Sequence, residues 1–164
     1  MAKPENTAIA GVHKYLPAQV EREKMNNPYN AGTADVWYSA DPCDLWIEYK
    51  FLEKPPVRAF TLDLSELQRQ WLLRRYHQKR AVAVALLFPA KFGCVLYTHL
   101  AWGETKQKIP APTPEQIMTR SALADLITRS CTCASCNSRF VYGSQGCEGG
   151  VPHCRIHDSH LSHH

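Results

Sequence analysis

Two acidic clusters lie thirteen residues apart in this chain, one in Gly32-Thr33-Ala34-Asp35-Val36-Trp37-Tyr38 and one in Leu45-Trp46-Ile47-Glu48-Tyr49-Lys50-Phe51. Each sets a carboxylate within an apolar, strand-like stretch, where an idle charge would be costly. Strand periodicity puts Lys50 on the same face as Glu48 and Trp46, and Ile47, Tyr49 and Phe51 on the face expected to pack on a helix. Two carboxylates and an ammonium converging beside a sheet suggest a Mg2+ site for phosphodiester hydrolysis. Mg2+ takes oxygen ligands, commonly one or two carboxylates with water and phosphate. It can activate water and neutralise charge on phosphate, with Lys50 as a fixed positive charge. Glu5, four residues before Ile9 on a helix, either joins this site or merely complements the helix dipole.

The elements that must position these residues follow from periodicity and punctuation. Pro4 to about Leu16 reads as a helix, with Pro at its start and Ile9, Val12 and Leu16 as its apolar stripe. Residues 18–34 read as a loop, and 35–39 and 44–51 as strands joined by a turn at Asp41-Pro42. Ser65 to Lys79 reads as a helix opened by the capping-box pattern Ser65-Glu66-Leu67-Gln68. Residues 81–88 are continuously apolar, as in a central strand covered on both faces. A strand is expected over 92–98, a linker over 103–114 and a helix over 114–129. The order predicts an α/β fold with a mixed sheet.

The chain resembles the PD-(D/E)xK nuclease superfamily over residues 4–98. Five elements carry the likeness in order: the helix with Glu5, Gly32-x-x-Asp35, Glu48-x-Lys50, Leu64-Ser65-x-x-Gln68 and the helix that follows. Within that superfamily it looks like the VRR-NUC group, found alone in phages and fused in larger DNA-repair nucleases. Ala34 stands where the family usually has proline. The resemblance implies a restriction-endonuclease-like mixed central sheet flanked by helices. It implies that Asp35, Glu48 and the Tyr49 backbone carbonyl hold Mg2+ or Mn2+, that Lys50 is catalytic, and that Glu5 and Gln68 assist. It further implies a metal-dependent endodeoxyribonuclease, acting as a homodimer on Holliday junctions or flaps. A site-specific homing or restriction-like nuclease, and a non-catalytic DNA-binding protein on the same fold, are the alternatives. Beside such a site, Lys54, Arg58, Arg69, Arg74, Arg75 and Lys79 read as phosphate contacts; on an isolated helix the arginines would be an ordinary solvated face.

Composition bounds the rest. A length of 164 residues predicts one domain, or one domain with a small appendage, and a net charge of +4 is only a mild lean toward polyanions. No apolar run is long enough to span a membrane. Met1-Ala2-Lys3-Pro4-Glu5 lacks the apolar stretch of a secretory signal, so a cytoplasmic protein is expected, in the host cytoplasm if phage-encoded. Five of the seven cysteines fall in the last 34 residues, a pattern read as metal binding in a reducing compartment. Cys133, Cys136, Cys147 and Cys154 are the expected Zn2+ ligands, with Cys131, His153 and His157 as alternatives. The expected division is therefore a nuclease core over 1–129 and a zinc-binding tail over 130–164.

Overall fold

The computed structural model describes residues 1–26, 29, 31–104 and 108–142. Five strands form one sheet in sequential order: β1 (Glu21–Lys24), β2 (Val36–Ser39), β3 (Asp44–Phe51), β4 (Val82–Leu87) and β5 (Cys94–Tyr97). Only β3 and β4 run parallel; every other neighbouring pair is antiparallel. The parallel pair requires a crossover, and helix α2 (Glu66–His77) lies within it. Helices α1 (Pro4–His13), α3 (His99–Trp102), α4 (Arg120–Thr132) and α5 (Ala134–Tyr142) complete the layers. The architecture is thus a mixed α/β sheet flanked by helices, as expected. Among the described residues, no helix is long and apolar enough to cross a membrane.

Two cores sandwich the sheet. One joins Ala8, Ile9 and Val12 of α1 and Leu123, Ala124 and Ile127 of α4 to Val36, Tyr38, Ile47 and Tyr49. Phe140 and Val141 of α5 belong to the same core. The other joins Trp71 and Leu72 of α2 and Trp102 of α3 to Val82, Val84 and Leu86. Alternate residues of β4 therefore face opposite layers, and all six are buried. This is why the strand reads as one apolar run.

Several boundaries differ from the sequence expectations. The segment expected as a loop over 18–34 contains β1, whose four residues Glu21-Arg22-Glu23-Lys24 are all exposed. It is an edge strand with no apolar alternation to betray it, and its charges suit an edge that must not pair with another chain. Helix α1 stops at His13, short of Leu16. Residues 90–92 form a 3-10 turn, so β5 starts at Cys94. The expected linker contributes Ile109, which pairs with Phe60 through a β-bridge. The helix expected over 114–129 begins only at Arg120, because Met118 is held in a bridge to Cys94 and the Thr119 hydroxyl accepts from the Ala122 N–H at 3.0 Å. It then runs beyond 129 to Thr132, and α5 continues the helical packing onto the core.

Candidate active site

The site forms where β2 and β3 part. Val36, the first residue of β2, is paired with Ile47, so β3 continues past Glu48 without a β2 partner. Trp46 and Leu52 donate their N–H groups to β4-side carbonyls of Ala81 and Leu87. By strand alternation the N–H and C=O of Tyr49 face the vacated β2 side. There the Asp35 Oδ2 accepts the Tyr49 N–H at 2.8 Å. Asp35 thus stands in for a strand partner, its carboxylate fixed beside the Tyr49 carbonyl. Asp35 shares its sheet face with Trp37, and Glu48 and Lys50 share theirs with Trp46, so all three charged groups project to the α2 side.

Gly32 sets the approach to Asp35. Its φ is +91°, and a Cβ there would lie 2.4 Å from the Leu67 carbonyl oxygen and 2.9 Å from the Gln68 amide nitrogen. Glycine alone allows the left-handed turn and the close passage of this loop over the start of α2.

Glu48 is 1% exposed. Its Oε1 lies 3.2 Å from the Lys50 Nζ and accepts from the Gln68 Nε2 at 2.5 Å. Its Oε2 is buried and has no hydrogen-bond partner among the described residues. Burial pushes the Glu48 carboxyl up to about 8, with nearby Asp35 and Glu5 adding to the rise and Lys50 opposing it. Glu5, half-buried on the first turn of α1, is also raised, by burial and then by Asp35. The three carboxyl groups therefore sense one another across the end of the sheet.

Gln68 joins this cluster to the helix behind it. Its Oε1 accepts from the Ser65 N–H at 3.0 Å and from the Lys50 Nζ at 3.1 Å, while the Ser65 hydroxyl accepts from the Gln68 N–H at 3.2 Å. Capping and site contact looked like rival explanations of Gln68 in the sequence. One side chain performs both.

The donor set fits a hard divalent cation. Two carboxylates and a carbonyl are oxygen ligands of the kind Mg2+ and Mn2+ take, and the unpartnered Glu48 Oε2 marks a position that lacks a positive neighbour. Among the described residues, no group of three His, Cys, Asp or Glu side chains converges tightly enough to hold a metal by itself.

The expected phosphate contacts are distributed unevenly. Lys54 and Arg58 are exposed on the loop that follows β3. Arg69 is engaged by Glu66, with nitrogen–oxygen distances of 2.5 and 3.1 Å. Arg75 lies over the Trp71 ring and donates to Gln78 at 3.2 Å. Arg74 and Lys79 are exposed, and Lys79 lies beyond the C-terminal end of α2, the end opposite Gln68. Sequence reasoning passed over Lys3 and Lys24, which sit close enough to Glu5 to pull its carboxyl down against the effect of burial. Recognising β1 was the signal needed.

The expected zinc ligands are only partly visible. Cys147, Cys154, His153 and His157 lie outside the described residues. Cys133 follows α4, and Cys136 is buried on α5. Cys131 is wholly buried in the core, and burial pushes its thiol up to about 12.

A mixed five-stranded sheet flanked by helices, with carboxylates gathered at the fork between two of its strands, defines an α/β protein. The particular likeness is to a solved structure of Hjc from Archaeoglobus fulgidus, a Holliday junction resolvase from an archaeal hyperthermophile. The TM-score is 0.50 at 16% sequence identity, over 73% of this chain and 99% of that one. No protein-family model matches the chain, and no curated protein matches it.

Proposed function

We propose that this protein is a Mg2+-dependent DNA endonuclease that cuts branched DNA, with four-way junctions as the first substrate to test. The observation that carries the reading is Glu48: a buried carboxyl with one oxygen held by Lys50 and Gln68 and the other without a partner, next to Asp35 pinned on the Tyr49 N–H. A purely structural residue at this position would have both oxygens satisfied or would be apolar. The order of Glu5, Gly32-x-x-Asp35, Glu48-x-Lys50 and Gln68, which resembles the VRR-NUC group, supports the same chemistry. The junction substrate is supported by the fold shared with a Holliday junction resolvase. A homodimer follows from that substrate, since resolving a four-way junction takes two symmetric cuts.

Each residue has a distinct role. Asp35, Glu48 and the Tyr49 carbonyl would hold the cation, which supplies Lewis acidity toward the phosphate and toward the attacking water. Lys50 presents its ammonium beside Glu48, where it balances charge that gathers on the phosphate oxygens. Gln68 orients both Lys50 and Glu48 from the helix cap. Glu5 adds negative potential that strengthens cation binding from the first turn of α1.

The deciding experiment incubates purified protein with Mg2+ or Mn2+ and end-labelled four-way junction, flap, duplex and single-stranded DNA. Junction cleavage that EDTA abolishes, with much less product from linear duplex, is the expected result. Intact DNA in every lane at micromolar protein would end the nuclease reading.

A further inference from the structure

We infer that the indole of Trp37 is a platform on which an unpaired DNA base stacks while the backbone of that strand lies at the carboxylates. This inference rests on the nuclease reading and narrows its substrate to DNA with an unpaired nucleotide at the branch. It concerns the sheet face that carries Asp35, Glu48 and Lys50.

Three tryptophans line that face in a row. Trp37 of β2 is paired with Trp46 of β3, and their ring centroids lie 6.1 Å apart. Trp46 meets Trp71 of α2 at 5.2 Å, and the Arg75 guanidinium lies 5.1 Å from the centre of the Trp71 ring. The row has an inner and an outer end. Trp71 is buried in the core beneath α2, whereas Trp37, at the other end, is only half-buried. The same helix reaches the site: Gln68 contacts Glu48, and Trp71, about one turn on, contacts Trp46. Trp46 and Glu48 are two residues apart on β3, roughly 7 Å along the strand. The row and the carboxylates are thus adjoining parts of one surface, joined by side-chain contacts to the same strand and the same helix.

The chemistry of the outer end selects a base over a phosphate. Glu23 is the cross-strand neighbour of Trp37 on β1, and strand alternation puts Glu21 on the same side. Both are exposed. Two carboxylates repel a phosphate, whereas an aromatic face takes any base. The backbone of the stacked nucleotide therefore turns toward Lys50, whose ammonium lies 3.2 Å from the Glu48 Oε1 on the same sheet face. In paired DNA each base is covered by its neighbours, so the platform favours a nucleotide freed at a branch. Trp37 and Trp46 also form a cross-strand aromatic pair that steadies β2 against β3. That role alone would change stability and leave the preference for unpaired over paired DNA unmoved.

The test compares wild type with Trp37→Leu and Trp37→Tyr in Ca2+, on flap DNA that carries 2-aminopurine in place of one base at a time around the branch. Wild type should quench the fluorophore strongly at one position, and Trp37→Leu should not. By anisotropy, Trp37→Leu should bind the flap roughly 5- to 150-fold more weakly, the range for loss of one stacked base. Trp37→Tyr, which keeps an aromatic face, should stay close to wild type, and binding to linear duplex should be nearly equal in all three proteins. If wild type cleaves the flap yet quenches at no position, or if folded Trp37→Leu binds the flap as tightly as wild type, the platform is wrong and the nuclease reading stands. The quenching scan on wild type decides the matter even where Trp37→Leu does not fold. If wild type cleaves no DNA, the nuclease reading fails and takes the platform with it.

Discussion

Replacing Glu48 with Gln separates the charge of the site from its shape. The amide nearly matches the carboxyl in size, and its oxygen can still accept from Gln68 and Lys50. In the wild type the folded carboxyl titrates at about 8, against an ordinary 4.5. A carboxyl raised in this way favours the folded state in its protonated form. Its contribution is whole below pH 4.5 and is lost as pH rises to about 8. The full loss is on the order of 5 kcal/mol, of which about 2 kcal/mol falls between pH 6.5 and 8. That upper window is the clean one. His13 is lowered to about 4, chiefly by burial, so its contribution runs the other way and is complete by pH 6.5. Urea unfolding in EDTA from pH 5 to 9 should show wild type and Glu48→Gln close together at the acid end. The variant should become the more stable protein as pH rises above about 5, by a margin that keeps growing through pH 6.5 to 8. Millimolar Mg2+ should restore the wild type at high pH and leave the variant unmoved, because cation binding displaces the Glu48 proton. Parallel curves across pH 6.5 to 8 would refute the claim that Glu48 is a neutral buried carboxyl awaiting a cation.

Four further outcomes follow from the same geometry. Lys50→Ala should lower the single-turnover rate of junction cleavage by about 100- to 1,000-fold, with DNA affinity in Ca2+ changed far less. Gln68→Glu should keep the cap of α2, since glutamate serves equally in a capping box, yet abolish cleavage by setting a second carboxyl against Glu48; circular dichroism and the junction assay read the two effects separately. Gly32→Ala should destabilise the fold by roughly 2 kcal/mol or more in urea unfolding, through its positive φ and the collision with Leu67. Tyr38→Phe should cost about 1–3 kcal/mol by the same measurement, because the Tyr38 hydroxyl joins the His13 ring at 2.7 Å to the buried Tyr49 hydroxyl at 2.5 Å.

Much of the site was legible because it lies on elements whose periodicity is strong. The alternation of β3 puts Glu48 and Lys50 on one face, and the structure finds them there with Trp46. The capping box announces the start of α2, and Ser65 and Gln68 form it. What escaped depends on partners distant in sequence. β1 carries four charged residues, so nothing in its pattern distinguishes an edge strand from a polar loop. The start of α4 lies later than the sequence suggests because the backbone of Met118 is claimed by the neighbourhood of β5, where Met118 and Cys94 exchange two hydrogen bonds of 2.9 Å. The surroundings of the basic helix escaped for a related reason. Counting arginines on α2 does not reveal that Glu66 and Trp71 already occupy two of them.

These constraints explain why an acidic residue sits at the centre of an otherwise apolar sheet. Isolated, Glu48 destabilises the fold whenever it ionises. Gln68 and Lys50 satisfy one oxygen and leave the other bare, so the remaining cost of ionisation is met by keeping the proton or by a positive charge at Oε2. Asp35 replaces a missing strand partner, and therefore cannot move without freeing the Tyr49 amide. Gln68 supplies the orienting contacts while it caps α2, and Gly32 lets the Asp35 loop lie directly against that cap. Each group that shapes the site is thus also a structural joint. On the proposed function, the geometry is set before any cation arrives, as preorganised electrostatic catalysis requires, and the destabilising ionisation of Glu48 would supply part of the drive for a cation to bind.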